Sequence, residues 1–104
     1  MIRPLLPAAL VLAIAPVSPC VGQPAPPPPG RDLAAACANC HGTNGVSHAG
    51  IPSLAGRERS ELVRLVQEFK SGRRPATVMH QIAKGYSDEQ IEAIAAYLSA
   101  IRTR

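Results

Sequence analysis

The chain has 104 residues, a formal charge of +4, 11 prolines and only three aromatics, Phe69, Tyr86 and Tyr97. That length allows one small domain, and a core with so few large side chains is marginal without a staple. Cations with no interleaved aromatics exclude a nucleic-acid surface, while mild basicity suits an acidic protein partner.

Met1-Ile2-Arg3 is a short positive start, and Leu5 to Val17 is almost wholly apolar. The run is too short to span a bilayer and has the form of a secretory h-region. Cys20-Val21-Gly22 before Gln23 offers small residues for cleavage, which predicts a signal peptide over 1–22. Val17-Ser18-Pro19-Cys20 faintly resembles a lipobox, although Pro19 disfavours processing there, and a retained N-terminal anchor is the third outcome. Only lipidation of Cys20 or retention of the segment would bring a membrane into play. Every outcome leads out of the cytoplasm, and the periplasm is the expected location. Residues 23–30, with four consecutive prolines, predict an extended linker, leaving 31–104 as the folded domain.

Asp32 to Cys37 is alanine-rich with an acidic first turn, a good short helix start. It runs into Cys37-Ala38-Asn39-Cys40-His41. Two thiols three apart with a histidine directly after the second form the C-x-x-C-H pattern of covalent haem attachment. Residues three apart share a helix face, so both sulfurs can reach the two vinyl groups of one haem, and His41 can offer the proximal imidazole. Two plainer readings compete. A redox dithiol wants a βαβ setting that is not present, and a zinc site would need two of His41, His48 and His80 at spacings they do not have.

Gly42, Gly45 and Gly50 punctuate a loop in which His48 is expected to be solvated. Ile51 to Gly56 predicts a turn with two apolar anchors. From Arg59 to Phe69, residues Leu62, Leu65, Val66 and Phe69 fall on one helical face. Ser60 is the expected N-cap and Gly72 the C′ stop. Lys70, Arg73 and Arg74 follow as favourable C-terminal cations or a contact for a propionate or a partner. Met79 is the candidate second axial ligand, because the only other methionine is Met1, with His80 as its rival. Ser87-Asp88-Glu89-Gln90 is a capping box opening a last helix whose apolar face is Ile91, Ile94, Ala95, Leu98 and Ile101. Small residues Ala93, Ala95 and Ala96 would let the N-terminal helix approach. No strand pattern occurs, so the domain is predicted all-α.

This arrangement resembles the class I c-type cytochromes over residues 31–104. The likeness is carried by CANCHG, GIPSLAGR, LVQEFKSGRRP and TVMHQIAKGYSDEQIEAIAAYLS. The last stretch is similar to the cytochrome subunit of flavocytochrome c sulfide dehydrogenase and, more distantly, to halves of dihaem bacterial cytochromes. The resemblance implies three to four short helices around one covalent haem c, with Cys37 and Cys40 attaching it. It also implies His41 and Met79 as axial ligands and the Pro52 carbonyl as partner of the other His41 nitrogen. By the same resemblance the chain is an electron carrier rather than an enzyme. It would serve redox partner proteins, among them a sulfide-oxidising flavoprotein subunit, and bind no nucleic acid. A free diffusible carrier to an oxidase or reductase is the alternative, and a haem-based ligand sensor is the alternative of another class.

Overall fold

The structure, a computed structural model, describes residues 15–16, 22, 25–26 and 28–103. Most of the expected signal peptide over 1–22, with Cys20 and its lipobox, and part of the 23–30 linker lie outside the described residues. Five α-helices follow: α1 (Arg31–Ala34), α2 (Ala38–His41), α3 (Arg59–Lys70), α4 (Met79–Lys84) and α5 (Asp88–Ser99). A 3-10 turn at Ala35–Cys37 joins α1 and α2 into one run, so there are four helical units, and a second 3-10 turn covers Thr43–Gly45. No strand is present among the described residues. No helix among them is long and apolar enough to cross a membrane.

The helix ends follow local chemistry. Ser87 caps α5 with the complete capping box: its hydroxyl accepts from the Gln90 amide at 3.2 Å, and the Gln90 side chain accepts from the Ser87 amide at 2.9 Å. At α3 the cap differs from expectation. Glu58 is the extended N-cap residue, and its carboxylate accepts from the amide and hydroxyl of Ser60, which sits inside the first turn. A carboxylate there satisfies an orphan amide and also meets the positive end of the helix. Helix α3 stops at Ser71, and Gly72 follows with φ +79°, the left-handed position that favours glycine.

The core lies where α1, α3 and α5 meet. Ala34, Leu62, Ile94, Ala95 and Leu98 form the buried cluster, with Leu33, Leu54, Val63, Tyr86, Tyr97 and Ile101 packed against it. Helix α3 buries one residue of its expected face, Leu62, and adds its neighbour Val63 to the packing. Leu62 is buried in the cluster and the half-buried Val63 packs against it, while Leu65, Val66 and Phe69 are half-buried outside the cluster. Alanines let α1 approach α5 closely, and a glycine completes the crossing: Gly30 caps α1 with φ +90°, and any Cβ there would collide with the Ala93 carbonyl. Arg59 to Glu92 at 2.9 Å and Lys70 to Asp88 at 3.1 Å join α3 to α5 at the surface. Such exposed pairs add little; apolar burial holds the crossing.

Candidate functional site

Cys37 ends the 3-10 turn and Cys40 lies in α2, so the two thiols stand one helical turn apart. Both are free, Cys37 half-buried and Cys40 exposed. Burial pushes the Cys37 thiol above its ordinary pKa, outweighing a backbone hydrogen bond that lowers it. A nucleophilic redox dithiol has the opposite tendency, a thiol held low. No three His, Cys, Asp or Glu side chains among the described residues gather as a metal cluster. The histidines needed for zinc are not brought together with the thiols.

His41 closes α2, and Gly42 (φ +84°) turns the chain away. A side chain at Gly42 would meet the Val46 carbonyl, so the sharp turn requires glycine. The loop then returns so that the Pro52 carbonyl lies 2.6 Å from His41 Nδ1. A carbonyl can only accept, so Nδ1 carries the proton, and in the neutral ring Nε2 is then the nitrogen with the free lone pair. This is the tautomer in which Nε2 can bind a metal. His48 is exposed in the same loop.

Met79 is the first residue of α4 and half-buried, and His80 follows it. His80 lines an open cleft of about 280 Å³ together with Lys70, Arg74 and Lys84, at the C-terminal end of α3. Its Nδ1 is buried without a hydrogen-bond partner. Adjacent helical residues point about 100° apart, so Met79 and His80 serve different surroundings. The basic cluster is partly committed within the fold. Lys70 Nζ bonds the Tyr86 carbonyl at 2.7 Å and Asp88 at 3.1 Å, and Arg74 pairs with Glu68 at 3.0 Å and lies over the Phe69 ring. Arg73 and Lys84 have no carboxylate in ion-pair range among the described residues.

A haem needs two thiols, an imidazole with a free nitrogen, a soft second donor and an apolar surround, and this chain offers all of them. Among the described residues the large apolar side chains left most exposed are Ile51 (41 %), Val78 (54 %) and Ile82 (43 %). Ile51 precedes Pro52, Val78 precedes Met79, and Ile82 lies one turn further along α4. Uncovered apolar surface thus flanks the two segments that carry the axial candidates. The sequence reading missed what braces the loop. Ser53 Oγ accepts from the Ser47 amide at 2.8 Å; the only signal was the hydroxyls themselves, which cap loop amides readily.

The chain is 44 % identical over 68 residues to the cytochrome subunit of sulfide dehydrogenase from Chlorobaculum tepidum, covering 65 % of this chain and 62 % of that one. It is 41 % identical over 70 residues to the thiosulfate dehydrogenase electron acceptor of Stutzerimonas stutzeri, covering 65 % of this chain and 32 % of that protein. Among solved structures it resembles cytochrome c4 of Acidithiobacillus ferrooxidans, with a TM-score of 0.61 and 38 % identity over 64 % of this chain and 38 % of that chain. It therefore spans about three fifths of the first relative and about a third of the other two. The family described as cytochrome c oxidase, cbb3-type, subunit III matches residues 25–98. With the C-x-x-C-H turn in place on a small all-α fold, the chain belongs to that family of cytochrome c domains, an electron-transfer protein that binds covalent haem c.

Proposed function

We propose that the chain is a periplasmic single-haem electron carrier, with Cys37 and Cys40 as thioether attachments, His41 as proximal ligand and Met79 as distal ligand. The observation that carries this reading is the 2.6 Å bond from His41 Nδ1 to the Pro52 carbonyl. It selects the neutral tautomer whose free nitrogen is Nε2 and limits rotation of the ring. Haem c supplies a one-electron iron couple when bound, and a methionine donor paired with histidine would raise its potential. The chain's residues do the rest. The two thiols would fix the group to α2, the Pro52 carbonyl would hold a proton on Nδ1, and the Met79 thioether would be the second protein donor to the iron. The placement of His80 toward the end of α3 supports Met79 over its neighbour.

The names of the relatives support a redox partner that oxidises a reduced sulfur compound. The reading we favour makes this chain the haem subunit or acceptor of a sulfide-oxidising flavoprotein. Arg73 and Lys84, the cations of the cluster without carboxylate partners, are its best candidates for steering an acidic partner, with an effect that fades as salt rises.

The test is optical. Oxidised wild-type protein should show low-spin c-type bands and a weak near-infrared sulfur-to-iron band. Met79→Ala should abolish that near-infrared band, and His80→Ala should leave it intact. Survival of the band in Met79→Ala, or its loss in His80→Ala, overturns the ligand assignment.

A further inference from the structure

The loop that presents Pro52 to His41 has little else to hold it. Ile51, Pro52 and Ser53 are all exposed, and of residues 43–53 only Gly45 is buried. Backbone hydrogen bonds brace the two ends of the loop. Val46 donates to the Thr43 carbonyl at 3.1 Å, and Leu54 and Ala55 both donate to the Gly45 carbonyl, at 2.8 and 3.1 Å. No residue from Ser47 to Ser53 makes a further backbone–backbone bond among the described residues. Across that span the one tie between the outgoing and returning arms is the Ser53 hydroxyl, which accepts from the Ser47 amide at 2.8 Å. The Ser47 hydroxyl braces its own arm, bonding the amide and carbonyl of Ala49 at 3.3 Å each. Positions 52, 53 and 54 are thus tied in succession to His41, Ser47 and Gly45.

We infer that Ser53 is a positioning residue: its hydroxyl, by clamping the Ser47 amide, holds the Pro52 carbonyl on His41 Nδ1 and so helps to set the reduction potential of the iron. The inference rests on His41 being the proximal ligand. A well-seated N–H···O bond pushes electron density onto the imidazole, making Nε2 a stronger donor that favours oxidised iron. A carbonyl that swings away weakens that donation, and the potential rises. Proline lends itself to the arrangement, because position 52 has a fixed φ and no N–H of its own to satisfy. The Ser53 side chain is then the nearest tie that can register its carbonyl, with the Leu54 amide on Gly45 one residue further on.

The test uses holoprotein with Ser53→Ala and Ser53→Thr, read by the midpoint potential and by exchange of the His41 Nδ1 proton in the reduced state. Removing one net hydrogen bond should open the loop about fivefold more often, speeding that exchange by the same factor and raising the midpoint potential. Ser53→Thr, which keeps the hydroxyl, should restore both. Unchanged potential and exchange in Ser53→Ala overturn the inference, as does a Ser53→Thr protein that behaves like Ser53→Ala. If Ser53→Ala also melts earlier, recovery of the potential in Ser53→Thr at matched stability still decides in favour. The wild-type spectrum separates the parent reading: absence of low-spin c-type bands ends the ligand assignment, whereas their presence with an insensitive Ser53 ends only this inference.

Discussion

The site-bearing half of the molecule, residues 35–57, and the helical half formed by α3, α4 and α5 are held by different forces. In the helical half, Leu62, Ala83, Ile91, Ile94, Ala95 and Leu98 are buried, and the helices pack through them. In the site-bearing half only Gly45 and Ala55 are buried. There the chain is shaped by left-handed glycines at 42, 45 and 56 and by hydrogen bonds between loop arms. A hydrophobic core gives a helix pair its own stability, while turns and loop hydrogen bonds position groups without supplying much net free energy. The half that carries the chemistry therefore depends on its neighbours and on the group it binds.

Removing the attachment should expose that dependence most strongly. In Cys37→Ala/Cys40→Ala, no haem should stay with the polypeptide after acid–acetone extraction. Amides of 43–54 should lose nearly all protection from hydrogen exchange, whereas those of α5 keep a measurable share. Equal loss in both regions would show a single cooperative unit and break the comparison. Next in size is the core. Leu98 is 3 % exposed, and its carbonyl also accepts the Gly56 amide at 2.9 Å, tying the end of the loop to α5. Leu98→Ala should cost roughly 2–5 kcal/mol in urea unfolding of the holoprotein. His48→Ala, on the exposed loop, should stay within about 0.5 kcal/mol. Similar costs at the two positions would mean that the loop carries as much packing as the core.

The same division explains what could be read in advance. Helix α5 was legible to the residue at its start because its capping box is a local code, and its face Ile91, Ile94, Ala95 and Leu98 is buried as the 3.6-residue period requires. The C-x-x-C-H turn was legible for the same reason, since its chemistry depends on contiguous residues. Apart from the Pro52 carbonyl on His41, which only the family resemblance supplied, what depends on three-dimensional proximity was not. Glu58 displaced Ser60 as the cap of α3 because an extended backbone two residues earlier started the helix there, and no pattern in the sequence distinguishes the two positions. Gly30 against Ala93 is an approach between residues 63 apart, visible only once α1 lies on α5. On α3 the expected face supplied the buried Leu62, while Val63 beside it also packs against the core, a contact the period alone did not single out. The Ser47–Ser53 clamp spans six residues of loop with no periodicity to announce it.

The smallest expected effect concerns acid, and it too separates the halves. The carboxyls held below their ordinary range are Glu58, Glu68 and Asp88, all on α3, α5 or the cap of α3. Glu68 is held low first by the Arg64 guanidinium at 2.7 Å and then by Arg74 at 3.0 Å. Asp88 is held low first by the Gln67 amide at 2.8 Å and then by Lys70 at 3.1 Å. A carboxyl lowered in the folded state adds stability that is complete above the ordinary carboxylate pKa, about 4. That stability is lost as pH falls through the lowered value. All three groups are open to solvent, so the loss is small, and for Glu68 salt should shrink it. The urea midpoint of the holoprotein should therefore fall between pH 6 and pH 3, and the fall should be shallower in Glu68→Gln/Asp88→Asn. An identical fall in that double variant would take the acid-sensitive contacts away from Glu68 and Asp88 and leave the Glu58 cap as the lowered carboxyl still able to account for it.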